Sequence, residues 1–255
     1  MKYTRTEIDE AIRSIESIKA KCEKALQKLK KDTSQWTLTV RRIKAFEIAL
    51  KALNTKINIA ILVSGGGTNM MSVIEAVERG ELNVRIALVV ASNHTAGAIA
   101  KAKAKKIQTE VCALSDYSSR EERDQAILAY LKKHNVQLVV LAGYLGIVTD
   151  CLLSGYKDKI INIHPSLLPK HGGAGMHGLT VHESVIRAGD KITGATVHYV
   201  GEEIDGGDII LQRSLPVLDS DTPETLAKRV LEKVEHGLLV DAIDKVLREE
   251  REIKE

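Results

Sequence analysis

An amide and an imidazole stand two residues apart in the run Asn162-Ile163-His164-Pro165-Ser166-Leu167-Leu168, which ends an apolar stretch, Lys159-Ile160-Ile161. A strand sends alternate side chains to one face. Strand geometry held to position 164 therefore points Asn162 and His164 together into the space beyond the strand end. There the amide can donate to a developing oxyanion, and the ring can move a proton near neutral pH. Pro165 stops the strand. A strand that merely finishes in polar residues has the same spelling, so the pair needs company.

Two further segments supply it. Ser64-Gly65-Gly66-Gly67-Thr68-Asn69 follows the apolar run 57–63 and precedes a helical pattern at Met70, Val73, Ile74 and Val77. Strand, glycine turn and helix put backbone N–H groups and a helix N-terminus at one place, which suits a phosphate; Thr68 or Asn69 could cap the helix. Gly-Lys-Ser/Thr is missing, which excludes a P-loop. The strand 84–91 ends in Ser92-Asn93 rather than an acid, which disfavours a dinucleotide and leaves a monophosphate. The second segment, Glu202-Glu203-Ile204-Asp205-Gly206-Gly207-Asp208, joins two apolar strands, the first carrying His198. A carboxylate from this turn can reach the first strand end, orient His164 and raise its pKa by charge pairing.

The elements that must hold these residues alternate. Strands are expected at 57–63, 84–91, 108–112, 137–142, 158–163, 192–200 and 208–215, and helices at 69–79, 95–105, 118–134, 177–188 and 223–250. Alternating β and α over this length implies an α/β fold: a mostly parallel twisted sheet with helices on both faces. The strands 192–200 and 208–215 are close enough to form a hairpin, which makes one edge antiparallel. Ahead of the sheet, residues 5–31 place Ile8, Ile12, Ile15, Ile18, Cys22, Leu26 and Leu29 on a helical stripe, and Trp36, Val40, Ile43, Phe46, Leu50 and Leu53 form a second. Asp32-Thr33-Ser34 makes the turn and cap between them, and Asn54-Thr55-Lys56 leads into the first strand. The expected organisation is a helical hairpin extension over 1–55 and a catalytic domain over 56–255.

Taken together, Ser64-Gly-Gly-Gly-Thr-Asn69, Leu141-Ala-Gly-Tyr144, Asn162-Ile-His-Pro-Ser-Leu-Leu-Pro169, Thr196-Val-His198 with Asp205-Gly-Gly207, and Glu235-His236 resemble the folate-dependent phosphoribosylglycinamide formyltransferase family, over roughly residues 57–250. The Asn-x-His-Pro segment alone would indicate only the wider formyltransferase superfamily; the glycine loop selects the glycinamide ribonucleotide branch. The resemblance implies a Rossmann-like formyltransferase fold and a reaction of purine biosynthesis: transfer of the formyl group of 10-formyltetrahydrofolate to the amine of glycinamide ribonucleotide. It implies Asn162, His164 and Asp205 as the catalytic set, Gly67, Thr68 and Asn69 around the ribonucleotide, and Glu235 near the glycinamide end. For the folate it implies Asn162, the wall Tyr144-Leu145-Gly146-Ile147-Val148 that receives the pteridine, and Arg120. On the residues alone, Glu235 and Arg120 read equally as solvated helix charges and the wall as core packing. The chemistry needs a donor for the tetrahedral oxyanion, which Asn162 supplies. A protonated His164 would add to that or deliver the proton to the departing nitrogen.

Two departures stand out. Gly146 occupies a position where the family often has arginine, so recognition of the folate's acidic tail differs. The segment Lys170-His171-Gly172-Gly173-Ala174-Gly175-Met176-His177-Gly178 is longer than the commonest form and glycine-rich, as a mobile flap would be. His171, His177 and His182 fit no standard ligand spacing, so no metal is expected.

Composition agrees with such an enzyme. A hydrophobic content of 44% fills a core, and 3% aromatics make that core aliphatic. A net charge of +3 is too mild for nucleic acid. Residues 1–55 carry 13 basic and 7 acidic groups, which concentrates the positive charge in the extension; for its apolar stripes the expectations are an intrachain cap packed on the core, self-association giving a homo-oligomer, or docking to another enzyme of the pathway. Cys22, Cys112 and Cys151 show no paired spacing and suit a reducing compartment. The charged amino terminus is no signal peptide, and no apolar run approaches the ~20 residues that span a bilayer; the cytoplasm is the expected setting. Among competing functions, a formyltetrahydrofolate hydrolase would share Asn162, His164 and Asp205 but use water as acceptor. A transfer-RNA formyltransferase would add a carboxy-terminal β-domain. A non-catalytic ligand-binding or interaction protein on this scaffold would be expected to lose one of the three.

Overall fold

In the computed structural model, which describes residues 5–53 and 56–252, the chain forms two compact units that divide between Lys56 and Ile57. The first is a helical hairpin of α1 (Arg5–Leu26) and α2 (Ser34–Leu53). Thr33 makes the expected turn and cap: its Oγ donates to the Lys30 carbonyl at 2.8 Å and accepts from the Trp36 amide at 3.2 Å. The apolar stripes face each other only in part. Ile8, Ile12, Ile15, Trp36, Ile43 and Phe46 are half-buried within this unit, and Ile18, Leu38 and Ile48 are exposed. Asn54 and Thr55 of the expected connection lie outside the described residues.

The second unit is a seven-stranded sheet in the order β3-β2-β1-β4-β5-β6-β7. Its strands are β1 (Ile57–Val63), β2 (Val84–Ala91), β3 (Thr109–Val111), β4 (Leu138–Leu141), β5 (Ile160–His164), β6 (Ile192–Tyr199) and β7 (Ile209–Pro216). The first five run parallel; β6 is antiparallel to both β5 and β7. The parallel strands read as unbroken Ile/Leu/Val runs because helices cover both faces. Residues 59–63 and 88–91 are completely buried. The covering helices are α3 (Thr68–Glu78), α4 (Gly97–Ala104), α5 (Arg120–Lys133), α6 (Asp150–Gly155), α7 (Leu179–Arg187), α8 (Pro223–Val230) and α9 (His236–Glu252). One core cluster packs α3, α4, α8 and α9 against one face, around Ile59, Ile61, Val89 and Val140; the other packs α5 and α6 against Leu62, Leu88 and Val139.

Three local expectations change. The helix expected at 223–250 is interrupted by a π turn at Leu231–Glu235. Helix α6, six residues long, was not expected. Neither Thr68 nor Asn69 caps α3: the N-cap is Gly67, at φ 72°, with no side-chain bond. A Cβ there would stand 2.6 Å from that of Ala98, so only glycine brings α3 and α4 this close.

Candidate active site

In a parallel sheet, ligands bind beyond the carboxyl ends of the strands, where chain order reverses. Here β1 lies between β2 and β4, and the loops leaving β1, β4 and β5 open onto one cavity of about 710 Å³. Its lining includes Ser64, Gly65 and Asn69 from the glycine loop, residues 143–148 after β4, Asn162 and His164 at the end of β5, residues 173–179, Asp205, and Glu235 from the π turn.

Asn162 and His164 alternate on one face of β5, as the spacing requires, and their partners on β6 are His198 and Thr196. His198 Nδ1 lies 2.8 Å from the Tyr199 carbonyl. A carbonyl only accepts, so Nδ1 carries the proton and Nε2 accepts from the Asn162 amide at 3.1 Å. This fixes the amide nitrogen of Asn162 at the strand end and leaves its second N–H for a ligand. Thr196 Oγ1 donates to the Ser166 carbonyl at 2.6 Å and accepts from the Leu168 amide at 3.0 Å, which locks the turn that follows His164.

Asp205 arrives from the turn after β6. It has φ 58°, left-handed backbone that Asp tolerates better than most residues. Gly207 lets the turn close: a Cβ there would stand 1.9 Å from the Tyr199 oxygen. One carboxylate oxygen of Asp205 lies 3.4 Å from His164 Nδ1 and accepts from the Gly173 amide at 3.0 Å; the other lies 3.5 Å from His198 Nε2. Burial pushes this carboxyl up, but the donors around it, the Gly173 N–H among them, hold it below the usual carboxylate range.

The charge pair does not raise the pKa of His164, as the sequence suggested it would. The ring is 3% exposed, and burial holds it below the ordinary imidazole value against the opposing pull of Asp205 and the His171 carbonyl. The resting ring is therefore mainly neutral at pH 7.

At the other end of the cavity, Glu235 is 7% exposed and accepts from the Asn69 amide at 2.7 Å. Burial pushes its carboxyl up to about 7 despite that bond. The neighbouring acceptor, Asn69 Oδ1, is buried without a donor. The π turn places this acid: the extra residue in the turn shifts the helical register where Glu235 meets α3. Of the other glycine-loop residues, Gly67 is half-buried and Thr68 exposed, and neither lines the cavity. Ser64 ties the loop to its neighbours: its Oγ accepts from the Leu145 amide at 2.7 Å and its carbonyl from Asn93 at 2.7 Å.

Residues 145–148 do line the cavity, on an unexpected support. Leu145 and Ile147 are 60% and 45% exposed at the cavity, with Gly146 and Val148 beside them. Arg120 is exposed on the first turn of α5 and does not line the cavity. The arginine that matters to the wall is Arg123, buried with Asp124. Its guanidinium donates to the Ile147 carbonyl at 2.6 Å and lies 6.0 Å from the Tyr144 ring, while Asp124 accepts from the Thr149 amide at 2.7 Å. Gly146 also has a structural reason: the Tyr144 ring occupies the place of its missing side chain, 2.7 Å from where a Cβ would stand. Arg123 and Asp124 drew no notice in the sequence, His182 was weighed there only as a metal ligand, and the site role of His198 was missed. The cross-strand pairing of Asn162 with His198 was a signal for the last. His182 lines the cavity, 3% exposed, with Nδ1 unpartnered, and burial pushes its pKa down to about 4. Among the described residues no group of three or more His, Cys, Asp or Glu side chains could hold a metal, and no helix is long and apolar enough to cross a membrane.

Residues 57–243 match the formyl transferase family model. The chain is 40% identical over 175 residues, 69% of its own length and 80% of the relative's, to the phosphoribosylglycinamide formyltransferase of Haemophilus influenzae. Among solved structures it is similar to glycinamide ribonucleotide transformylase 1 from Symbiobacterium toebii, with a TM-score of 0.71 and 35% identity, covering 77% of this chain and 89% of that one. The phosphoribosylglycinamide formyltransferase from Brucella melitensis gives a TM-score of 0.69 and 39% identity, covering 76% and 96%. A sheet order, a strand-end Asn-His pair and a matched span that agree this far leave one assignment: the chain belongs to the formyl transferase family.

Proposed function

We propose that this chain is a phosphoribosylglycinamide formyltransferase, moving the formyl group of 10-formyltetrahydrofolate to the amine of glycinamide ribonucleotide, with Asn162, His164 and Asp205 as its catalytic set. The observation that carries this reading is the convergence of an amide, an imidazole and a carboxylate at one strand end, with His164 Nδ1 3.4 Å from Asp205. The amine attacks the formyl carbon, and the carbonyl oxygen becomes an oxyanion that the free N–H of Asn162 meets. His164 enters neutral and takes the proton that the amine sheds. The imidazolium, charged beside Asp205, returns the proton from Nδ1 to the departing folate nitrogen as the carbon–nitrogen bond breaks. Asp205 repels the lone pair of the neutral ring and attracts the charged one, so its help appears only as the transition state forms.

Glu235, with a pKa near neutrality, suits the acceptor amine. Gly67, Thr68 and Asn69 with the N-terminus of α3 suit the ribonucleotide and its phosphate. Residues 145–148 suit the pteridine, and Arg120, exposed at the head of α5, suits a contact with the folate outside the cavity. The domain is assigned to 56–255 and its extension to 1–55, which serves self-association through its half-buried stripes. Three free cysteines support a cytoplasmic setting. A coupled assay tests the function: 10-formyltetrahydrofolate with and without glycinamide ribonucleotide. Tetrahydrofolate release that requires the acceptor supports transfer; release at the same rate without it makes the protein a hydrolase.

A further inference from the structure

The loop after β5 carries a hydrogen-bond network that the transfer chemistry leaves unused. His171 has φ 57°, left-handed for a residue with a Cβ, and a side chain only 8% exposed. Its ring is held at both nitrogens: Nδ1 is 2.9 Å from Ser184 Oγ on α7, and Nε2 is 2.8 Å from an Asp190 oxygen in the turn after α7. Lys170 pairs with the other oxygen of Asp190, and Ser166 Oγ donates to the Lys170 carbonyl at 2.8 Å. The backbone carbonyl of His171 accepts from His164 Nε2 at 2.9 Å. One residue therefore joins an outer cluster of α7 and its following turn to the ring at the centre of the cavity.

That contact decides which nitrogen of His164 can react. A neutral imidazole has one N–H and two acceptors competing for it: the His171 carbonyl at Nε2, 2.9 Å away, and the Asp205 carboxylate at Nδ1, 3.4 Å away. The carboxylate is the stronger acceptor, but it is too far for a good bond and is already shared with the Gly173 amide. With the carbonyl in place, the proton stays on Nε2 and Nδ1 keeps its lone pair. Without it, Asp205 captures the N–H, and the lone pair turns away from the carboxylate that stabilises the charged ring. The other titratable groups facing His164 are His198 from β6, His182 from α7 and the ring of His171 itself. His198 has its own proton committed to the Tyr199 carbonyl, and His182 has no hydrogen bond to the ring.

We infer that His171 is a positioning residue: anchored by Asp190 and Ser184, its main-chain carbonyl fixes the Nε2–H tautomer of His164 and so reserves Nδ1, beside Asp205, for the proton exchanged during transfer. The inference rests on the role proposed above for His164.

The test uses the full chain with ¹⁵N-labelled histidine. Long-range proton–nitrogen correlation spectra report the tautomer of His164 in the wild type, in His171→Phe, which keeps ring volume but loses both side-chain bonds, and in Asp190→Asn and Ser184→Ala, which each remove or weaken one. The expected wild-type form is neutral with the proton on Nε2. His171→Phe is expected to move that proton to Nδ1 and to lower kcat about 10- to 100-fold, as a misplaced catalytic group does, with KM for both substrates little changed. The acid limb of its pH–rate profile moves to lower pH, because the carbonyl that favours the charged ring is no longer held against it. Asp190→Asn and Ser184→Ala give smaller changes in the same direction, and they carry the test if His171→Phe does not fold. A His164 tautomer unchanged in every variant overturns the inference, whatever the rate. Full turnover in His164→Ala instead removes the proposed role of His164, and that result does not depend on the spectra.

Discussion

Glu235→Gln separates the stability of the site from its chemistry and carries a magnitude that the structure supplies. The carboxyl is buried and raised from the usual 4.5 to about 7. The folded protein therefore keeps this proton at pH values where the unfolded chain has lost it. A raised folded pKa gives stability that is fully present below the unfolded value, near 4.5, and lost as pH rises through about 7. At about 1.4 kcal/mol per pKa unit, the full window is worth on the order of 3 kcal/mol, most of it between about pH 5 and pH 8. Glutamine does not titrate, and its amide oxygen can still accept from Asn69. Urea unfolding of both proteins, followed by circular dichroism across that range, reads the difference. The variant is expected to gain on the wild type by roughly 2–3 kcal/mol from the acid to the alkaline end. A stability difference that stays flat with pH would show Glu235 ionised throughout and refute the reasoning.

Three other outcomes are expected. Asn162→Ala lowers kcat about 100- to 1,000-fold, the cost of one oxyanion donor, with KM for both substrates largely kept; equal loss of binding through unfolding removes the role. Arg123→Leu leaves Asp124 as an unpaired buried charge and lowers unfolding stability by about 3–5 kcal/mol, while KM for the folate rises because residues 147–149 lose their anchor; a loss below about 1 kcal/mol, the range of an exposed pair, contradicts it. His182 stays neutral by nitrogen NMR until pH falls toward about 4. Its depressed pKa contributes stability present above the ordinary 6.5 and lost as pH falls through about 4, so a His182 titration at 6.5 contradicts the burial argument.

How far the sequence reaches is visible in particular residues. The apolar runs 57–63 and 84–91 became strands with those bounds because helices cover both faces of them, which leaves periodicity little to confuse. Asn162 and His164 came together because alternation along one strand is local, and Asp205 followed because its turn joins adjacent strands. The misses are of another kind. Arg123 serves residues 24 positions away in sequence, at Ile147, a contact that no local pattern encodes. Arg120, three residues earlier, carries the same charge and faces solvent. The π turn at 231–235 adds a residue inside a continuous helical pattern, and α6 is too short to show a period. The pKa of His164 was misjudged because charge pairing is legible in a sequence, whereas desolvation depends on how completely the folded chain encloses the ring.

In the proposed mechanism the ring of His164 moves the proton in formyl transfer. The direct measurement is the single-turnover rate of tetrahydrofolate formation from 10-formyltetrahydrofolate and glycinamide ribonucleotide by His164→Ala, its fold verified by circular dichroism and both ligands shown to bind by calorimetry. The expected result is a loss of about 100- to 10,000-fold, the range for a positioned acid–base group. A folded, ligand-binding variant that transfers the formyl group at a rate close to wild type would contradict it.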